Sequence, residues 1–394
     1  MATHPLGEYS VETFLKEYWQ KRPLLIRNAF PDLESPVAAD ELAGLACETE
    51  IESRIVLEEE DGAPWQLRNG PFDENHFQSL PESHWTLLVQ GLDYWVPQVA
   101  DLLEAFRFIP NWRLDDIMAS YAPVGGSVGP HFDQYDVFLL QTEGQRRWKL
   151  GPVCDQDSPR VDRTPLHILS EFETLEEYVL NPGDMLYLPP GVSHWGIAEN
   201  DCITLSIGFR TPNEAEILTG FSDFLVGQLP LENHLSDPDP RVLDNPGRID
   251  QPVIDELIRI VTANTGRRDL LAAWFGQAMT EPKHSGIVEA PDEPHSVKNV
   301  RQKVAVGRDL SWNEGSRFAF HDVNSEERYL FVDGERYVLR HEARELAKLL
   351  CAGRRIPADE LNSWMEEDAL AELVTHLFNQ GSLYDPEEAD EDQA

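Results

Sequence analysis

The chain has 394 residues, 41% hydrophobic and 26% charged, which is enough apolar material for two or three cores and too much for a disordered chain or a staple-dependent miniprotein. Thirty-two basic residues against 71 acidic ones leave a formal net charge of −39. Such a field repels phosphate backbones and anionic membrane surfaces, so neither direct nucleic-acid binding nor a membrane role is expected. It favours a basic partner, although solubility in a salty cytoplasm accounts for the charge equally well.

Cys47, Cys154, Cys202 and Cys351 are scattered without a CxxC pair, which argues against a zinc knuckle or a disulfide framework and fits a reducing compartment. The first residues contain no basic region followed by an apolar run, and no apolar stretch approaches the ~20 residues of a membrane span. The expected location is the cytoplasm.

In chain order, Ser10 stands before Val11, Phe14, Leu15, Tyr18 and Trp19, the three- and four-residue steps of a capped amphipathic helix. Pro23 follows, and Leu24–Arg27 reads as a short buried strand. Ser35-Pro36 predicts the start of a second helix, with a capping residue and proline at the first helical position. From residue 50 to 210, short β-branched and aromatic runs alternate with Gly/Pro turns: Ile51–Leu57, Trp85–Val89, Ile117–Ala122, Asp136–Gln141, Arg146–Leu150, Asp184–Leu188 and Ile203–Phe209. A single helix carrying Val96, Val99, Leu102, Leu103 and Phe106 interrupts them. Strands at this spacing predict a sandwich or barrel.

After Arg210 the pattern is helical, with one stripe through Val253, Ile254, Leu257, Ile258 and Val261 and another through Leu270, Leu271, Trp274 and Phe275. Glu281–Asn299, with three prolines, reads as a linker. Tyr329–Val332, Asp333-Gly334 and Arg336–Leu339 predict a hairpin with an Asp-Gly turn. Helices over Glu342–Leu350 and Asp368–Asn379 flank it, which suggests a winged-helix module, and an acidic tail closes the chain.

The chemistry concentrates in Gly125-Gly126-Ser127-Val128-Gly129-Pro130-His131-Phe132-Asp133. On a strand, His131 and Asp133 would face the same way. Downstream, Gly183, Pro189, Gly191 and His194 form a second half-motif: strand, tight turn, histidine. Either histidine alone is an ordinary structural residue, and the glycines alone could be a hairpin turn. Two half-motifs in this order point to a His131–Asp133–His194 metal site. Two imidazoles and one carboxylate suit Fe(II) with positions left open, and zinc accepts the same set, so ligand type does not fix the metal.

These paired motifs resemble those of cupin-type double-stranded β-helix proteins. An aspartate at position 133 resembles the iron and 2-oxoglutarate oxygenases among them. More closely, HFDQYDVFLLQTEGQRRWKLG, FLKEYWQKRPLLIRNAF and PGDMLYLPPGVSHWG resemble the JmjC-type bacterial ribosomal oxygenases of the YcfD or RoxA type, and the likeness runs through nearly the whole chain. One departure is Ala198, where a generic cupin motif has asparagine; this position is not a ligand.

The resemblance implies a jelly-roll (cupin/JmjC) catalytic domain over residues 1–212. A helical dimerisation region and linker over 213–299 and a winged-helix-like domain over 300–394 would follow. It implies Fe(II) held by His131, Asp133 and His194, with 2-oxoglutarate and O2 as co-substrates. The implied reaction is hydroxylation of an arginine on a basic large-subunit ribosomal protein, the one numbered sixteen, by a homodimer. The distal carboxylate of 2-oxoglutarate needs a cation; only one of Arg146 and Arg147 can face inward, and the family pattern favours Arg146, with the Ser120 hydroxyl beside it. Asp116, Met118 and Ser120 share one strand face. In a substrate pocket, Asp116 would pair with the guanidinium, Met118 and Tyr135 would wall its methylene stem, and Ser206 would accept another proton. Otherwise Met118 and Tyr135 are core, and Asp116 caps or sits in solvent. Two other functions share these features: a histidyl hydroxylase or demethylase acting on another protein, and a non-catalytic cupin/winged-helix regulator.

Overall fold

The computed structural model describes residues 4–60, 63–162, 164–210, 212–230, 232–236, 241–284 and 286–388, so the end of the acidic tail lies outside the described residues. The chain divides into two compact units, Met1–Thr211 and Pro212–Ala394.

The strands of the first unit are β1 (Leu24–Ile26), β2 (Ser53–Glu60), β3 (Ala63–Asn69), β4 (Trp85–Val89), β5 (Leu114–Ala122), β6 (Asp136–Glu143), β7 (Arg146–Val153), β8 (Glu176–Leu180), β9 (Met185–Leu188), β10 (Val192–Ala198) and β11 (Cys202–Phe209). Eight form one antiparallel sheet in the order β1-β9-β6-β11-β5-β4-β2-β3, and three form a second in the order β10-β7-β8. The period-2 alternation explains how they pack. On β6, Phe138 and Leu140 face the main core with Phe14, Phe106, Tyr187 and Phe209. Val137 and Leu139 face the other way, into a cluster with Trp148, Leu150, Leu180 and Leu188. That second cluster draws on both sheets, so the sheets face each other across it. This is the double-stranded β-helix expected from the sequence.

Ser10 caps the first helix, Val11–Glu17, by accepting the Thr13 N–H at 3.1 Å, and Phe14 is the helix's buried anchor. Two expectations are corrected. The second helix is Ala39–Leu45 and does not open at Ser35-Pro36. The Ser35 hydroxyl is engaged with the Val37 carbonyl and Thr142, so no cap forms there, and Glu41 caps the helix by accepting the Ala38 N–H at 2.7 Å. The single helix expected over Val96–Phe106 is an α-turn, Pro97–Asp101, tightening into a 3-10 segment, Leu102–Phe106.

In the second unit, helices Glu214–Val226, Gln251–Thr265 and Arg268–Thr280 come first. Helices Val297–Ala305, Arg344–Cys351 and Asp368–Asn379 then share one core with a small antiparallel sheet, Phe318–Asp322, Glu327–Val332 and Glu335–Arg340. Val332 pairs with Glu335, leaving a two-residue turn in which Asp333 (φ 49°) and Gly334 (φ 83°) are both left-handed, as a type I′ hairpin requires. The stretch read as a linker to Asn299 ends earlier: Ser296 caps a helix that starts at Val297, accepting the Asn299 N–H at 3.2 Å. Among the described residues, no helix is long and apolar enough to cross a membrane.

Candidate active site

His131 is not on a strand, contrary to the sequence expectation. Gly129 (φ 81°) and Pro130 precede it, and only an isolated bridge forms. His131 and His194 exchange both backbone hydrogen bonds, at 3.0 and 2.8 Å. The Asp133 carbonyl accepts the Gly191 N–H at 2.7 Å, so the two half-motifs are stitched together main chain to main chain. On the other side of His194, the pairing of β10 with β7 shifts register between Val192 and His194, and such a bulge re-aims a side chain.

The side chains converge. The imidazole centroids are 4.3 Å apart, His194 Nε2 lies 3.6 Å from Asp133 Oδ2, and one ligand atom from each of the three residues falls within 4.8 Å of the others. Both imidazoles are oriented in the same way. His131 Nδ1 is 2.9 Å from the Gly129 carbonyl, and His194 Nδ1 is 3.0 Å from the Val192 carbonyl. A carbonyl only accepts, so each Nδ1 carries the proton and each Nε2 presents its lone pair to the gap. Burial, with the nearby His131 second, pushes the His194 pKa down to about 4, which keeps this imidazole neutral and able to ligate. Two nitrogens and one carboxylate without a thiolate fit Fe(II) with open positions.

Arg146 begins β7 and is buried, whereas Arg147 sits at the surface against Glu177 and Glu199. Arg146 Nη1 donates to Ser120 Oγ at 2.9 Å, and Ser120 Oγ donates to the Thr204 carbonyl at 3.3 Å. The guanidinium meets no carboxylate among the described residues, and its Nε is a buried donor with no acceptor. The adjacent Trp148 has the same property at Nε1, and the Arg146 guanidinium lies 5.4 Å from the Trp148 ring centroid. Burial lowers the arginine's pKa, and the nearby Cys202 side chain offsets this only in part. Unsatisfied buried donors around one cation describe a site built for an anionic acceptor, and the carboxylate of 2-oxoglutarate fits it.

On β5, Asp116 is buried and accepts the Gln90 amide at 2.8 Å, so it is neither a cap nor a solvated neighbour of Asp115. Asp115 pairs with Arg210 at 3.1 Å. Met118 packs on the small cluster of Val56, Trp65, Leu88 and Ile168. Tyr135 is 43% exposed and therefore not core. The exposure belongs to the rest of the residue: its hydroxyl end is buried among the carboxylates of Asp133, Asp116 and Asp115, and that burial, followed by those charges, raises its pKa. Ser206, half-buried on β11, stands opposite Met118.

Sequence reasoning missed three residues. Gln90, which holds Asp116, left no signal, because its partner lies 26 residues away. Trp148 falls on the inward side of β7 beside Arg147, where alternation alone does not distinguish it from an ordinary core residue. Gly196 had a signal, since glycine inside a strand marks a close approach. A Cβ there would lie 2.7 Å from the Trp148 ring and 3.0 Å from Arg146 Nε.

A His–Asp–His set on a double-stranded β-helix, with a buried arginine in the same fold, is the arrangement of the Fe(II)- and 2-oxoglutarate-dependent oxygenases. A JmjC-domain family model matches residues 101–217, and a ROXA-like winged-helix model matches residues 257–384. The chain is 33% identical over 370 residues to the ribosomal protein uL16 3-hydroxylase of Escherichia coli, covering 93% of this chain and 95% of that protein. It is 36% identical to a probable ribosomal oxygenase of Haemophilus influenzae, across 73% of this chain and 74% of the relative. The solved structure of YcfD, a ribosomal oxygenase from E. coli, in complex with cobalt and 2-oxoglutarate superposes with a TM-score of 0.84 at 31% identity, covering 96% and 98% of the two chains. The chain belongs to the ribosomal oxygenase family.

Proposed function

We propose that this protein is an Fe(II)- and 2-oxoglutarate-dependent oxygenase that hydroxylates an arginine side chain of the large-subunit ribosomal protein uL16. The observation that carries the reading is the pairing of the His131–Asp133–His194 cluster with a buried arginine that has no anion of its own. The relative named as a uL16 3-hydroxylase supports the substrate. When bound, iron and 2-oxoglutarate supply oxygen activation: one oxygen atom of O2 enters the substrate and the other enters succinate, with release of CO2.

The chain's own groups orient and shield. His131 and His194, proton-locked at Nδ1, and Asp133 would hold the metal on one face. Arg146 and Ser120 would anchor the distal carboxylate of the co-substrate. Asp116, held in place by Gln90, would face the guanidinium, with Tyr135 and Met118 along the methylene stem and Ser206 opposite. Mass spectrometry of uL16 from cells with and without this gene tests the reading: a single added oxygen on an arginine supports it, and identical spectra exclude it.

The pocket assignment has its own test. A charge-assisted hydrogen bond to a guanidinium is worth roughly 1.5–3 kcal/mol. Asp116→Asn keeps the shape and the Gln90 contact, so kcat/KM for arginine peptides should fall about tenfold or more, at 1.36 kcal/mol per decade. Metal and 2-oxoglutarate binding should stay near normal. A lysine peptide keeps the charge without the fork and should react poorly, whereas a histidine peptide should not react.

We also assign dimerisation to the segment 213–299, between a catalytic region, 1–212, and a winged-helix region, 300–394, in a cytoplasmic protein. Helix Gln251–Thr265 supports this, because Ile254, Leu257, Ile258 and Val261 form one apolar stripe that is 37–59% exposed. Ile258→Asp should shift the mass measured by light scattering from dimer to monomer without unfolding the chain.

A further inference from the structure

In the first unit an open groove of about 800 Å³ runs between the segment 33–48 and the turn 96–102. Leu33, Val37, Leu45 and Leu102 contribute its apolar walls. Three carboxylates stand over them: Glu34, Glu41 and Glu48, all exposed. Among the described residues, no lysine or arginine lines the groove. Among the described residues neither Glu34 nor Glu48 has an ion-pair partner, and Glu41 meets only the Ala38 N–H. None of these residues belongs to the metal, co-substrate or guanidinium sites described above.

We propose that this groove is an exosite for a basic, apolar-anchored segment of the protein substrate, engaged separately from the arginine that reacts; the substrate's identity rests on the function proposed above. Charge selects the occupant. An apolar floor under three uncompensated carboxylates disfavours a second copy of this chain, which carries −39, and disfavours nucleic acid. A cationic polypeptide with aliphatic side chains satisfies both the floor and the rim. The rim charges also raise the encounter rate with such a partner, and salt screens that effect.

Two variants change the groove by different means. Glu34→Gln, Glu41→Gln and Glu48→Gln together remove the charge, and glutamine at position 41 can still cap its helix. Gly44→Trp fills the groove: Gly44 is helical, and a Cβ there would meet no atom within 4 Å, so a larger side chain enters without backbone strain. The probes are full-length uL16 and a short peptide spanning only the hydroxylated arginine, followed by direct binding titration and by turnover. Each variant should raise the Kd and KM for uL16 by about fivefold or more while leaving kcat and all peptide constants unchanged. The triple variant should also show a shallower salt dependence of uL16 binding than Gly44→Trp does, because it removes the local share of the charge while the rest of the −39 remains. Unchanged uL16 binding in both variants overturns the exosite, as does equal weakening of protein and peptide. If wild type hydroxylates neither probe, the proposed function fails, and the binding titration still judges the groove.

Discussion

His131→Ala and Asp133→Ala should each abolish turnover while leaving the protein folded. Neither side chain does much else in the fold. His131 joins its neighbour through main-chain hydrogen bonds that alanine retains, and its ring contributes one bond to the Gly129 carbonyl. Asp133 keeps 23% of its side chain exposed and lies beside His194. His194 is a poorer choice for the test, because it is buried against Trp148 and its removal also opens a cavity. Loss of one donor from a three-ligand site should weaken metal binding by more than the ~10–100-fold that follows loss of an outer hydrogen-bond partner. Anaerobic titration with Fe(II) or Co(II), 2-oxoglutarate decarboxylation and thermal melting check the three parts. Decarboxylation retained by both variants would remove these residues from the metal site.

The site was legible where chemistry and local pattern coincide. The two half-motifs and the Asp333-Gly334 turn follow from residue types at short spacing, whereas alternation requires only that one of Arg146 and Arg147 face inward and the family resemblance points to Arg146. Interior strands were legible for the same reason, since β4 and β11 are dense in β-branched and aromatic residues. The missed strands of the first unit, β3, β8 and β10, are sheet edges. β3 carries Pro64 and several polar residues and β8 opens with two glutamates, which is how edges avoid pairing with other chains and why they look like loops. Ser35-Pro36 misled because a cap depends on where the hydroxyl turns, and here a residue 107 positions away takes part. The strand expected at His131 failed for a related reason: Gly129 and Pro130 confine the ladder to one bridge, and the convergence with His194 is set by a bulge that no residue type announces. Contacts of this kind are tertiary, and local propensity does not encode them.

Arg146→Ala should raise the 2-oxoglutarate requirement by roughly a hundredfold or more, and Arg147→Ala should leave it unchanged. The two residues are adjacent in sequence and opposite in environment, because β7 alternates. Arg147 spends its charge on Glu177 and Glu199 at the surface, where solvent already screens it. Arg146 is 2% exposed, with one hydrogen bond, to Ser120, and no anion. An incoming carboxylate would supply the missing acceptor, and losing one partner of a buried charged pair costs about 3–5 kcal/mol, or two to four decades at 1.36 kcal/mol each. Because the Arg146 guanidinium is a buried charge with no carboxylate partner among the described residues, removing it should not destabilise the free protein as it destabilises the complex. Arg146→Ala should therefore melt near wild type without co-substrate and gain far less than wild type when 2-oxoglutarate and metal are added. Gly196→Ala should act in the same direction more weakly, since its methyl group would press on the Trp148 ring and on Arg146 Nε. Comparing melting temperature against 2-oxoglutarate concentration for all four proteins separates the outcomes. Equal ligand-induced shifts in wild type and Arg146→Ala would place the co-substrate carboxylate elsewhere in the barrel.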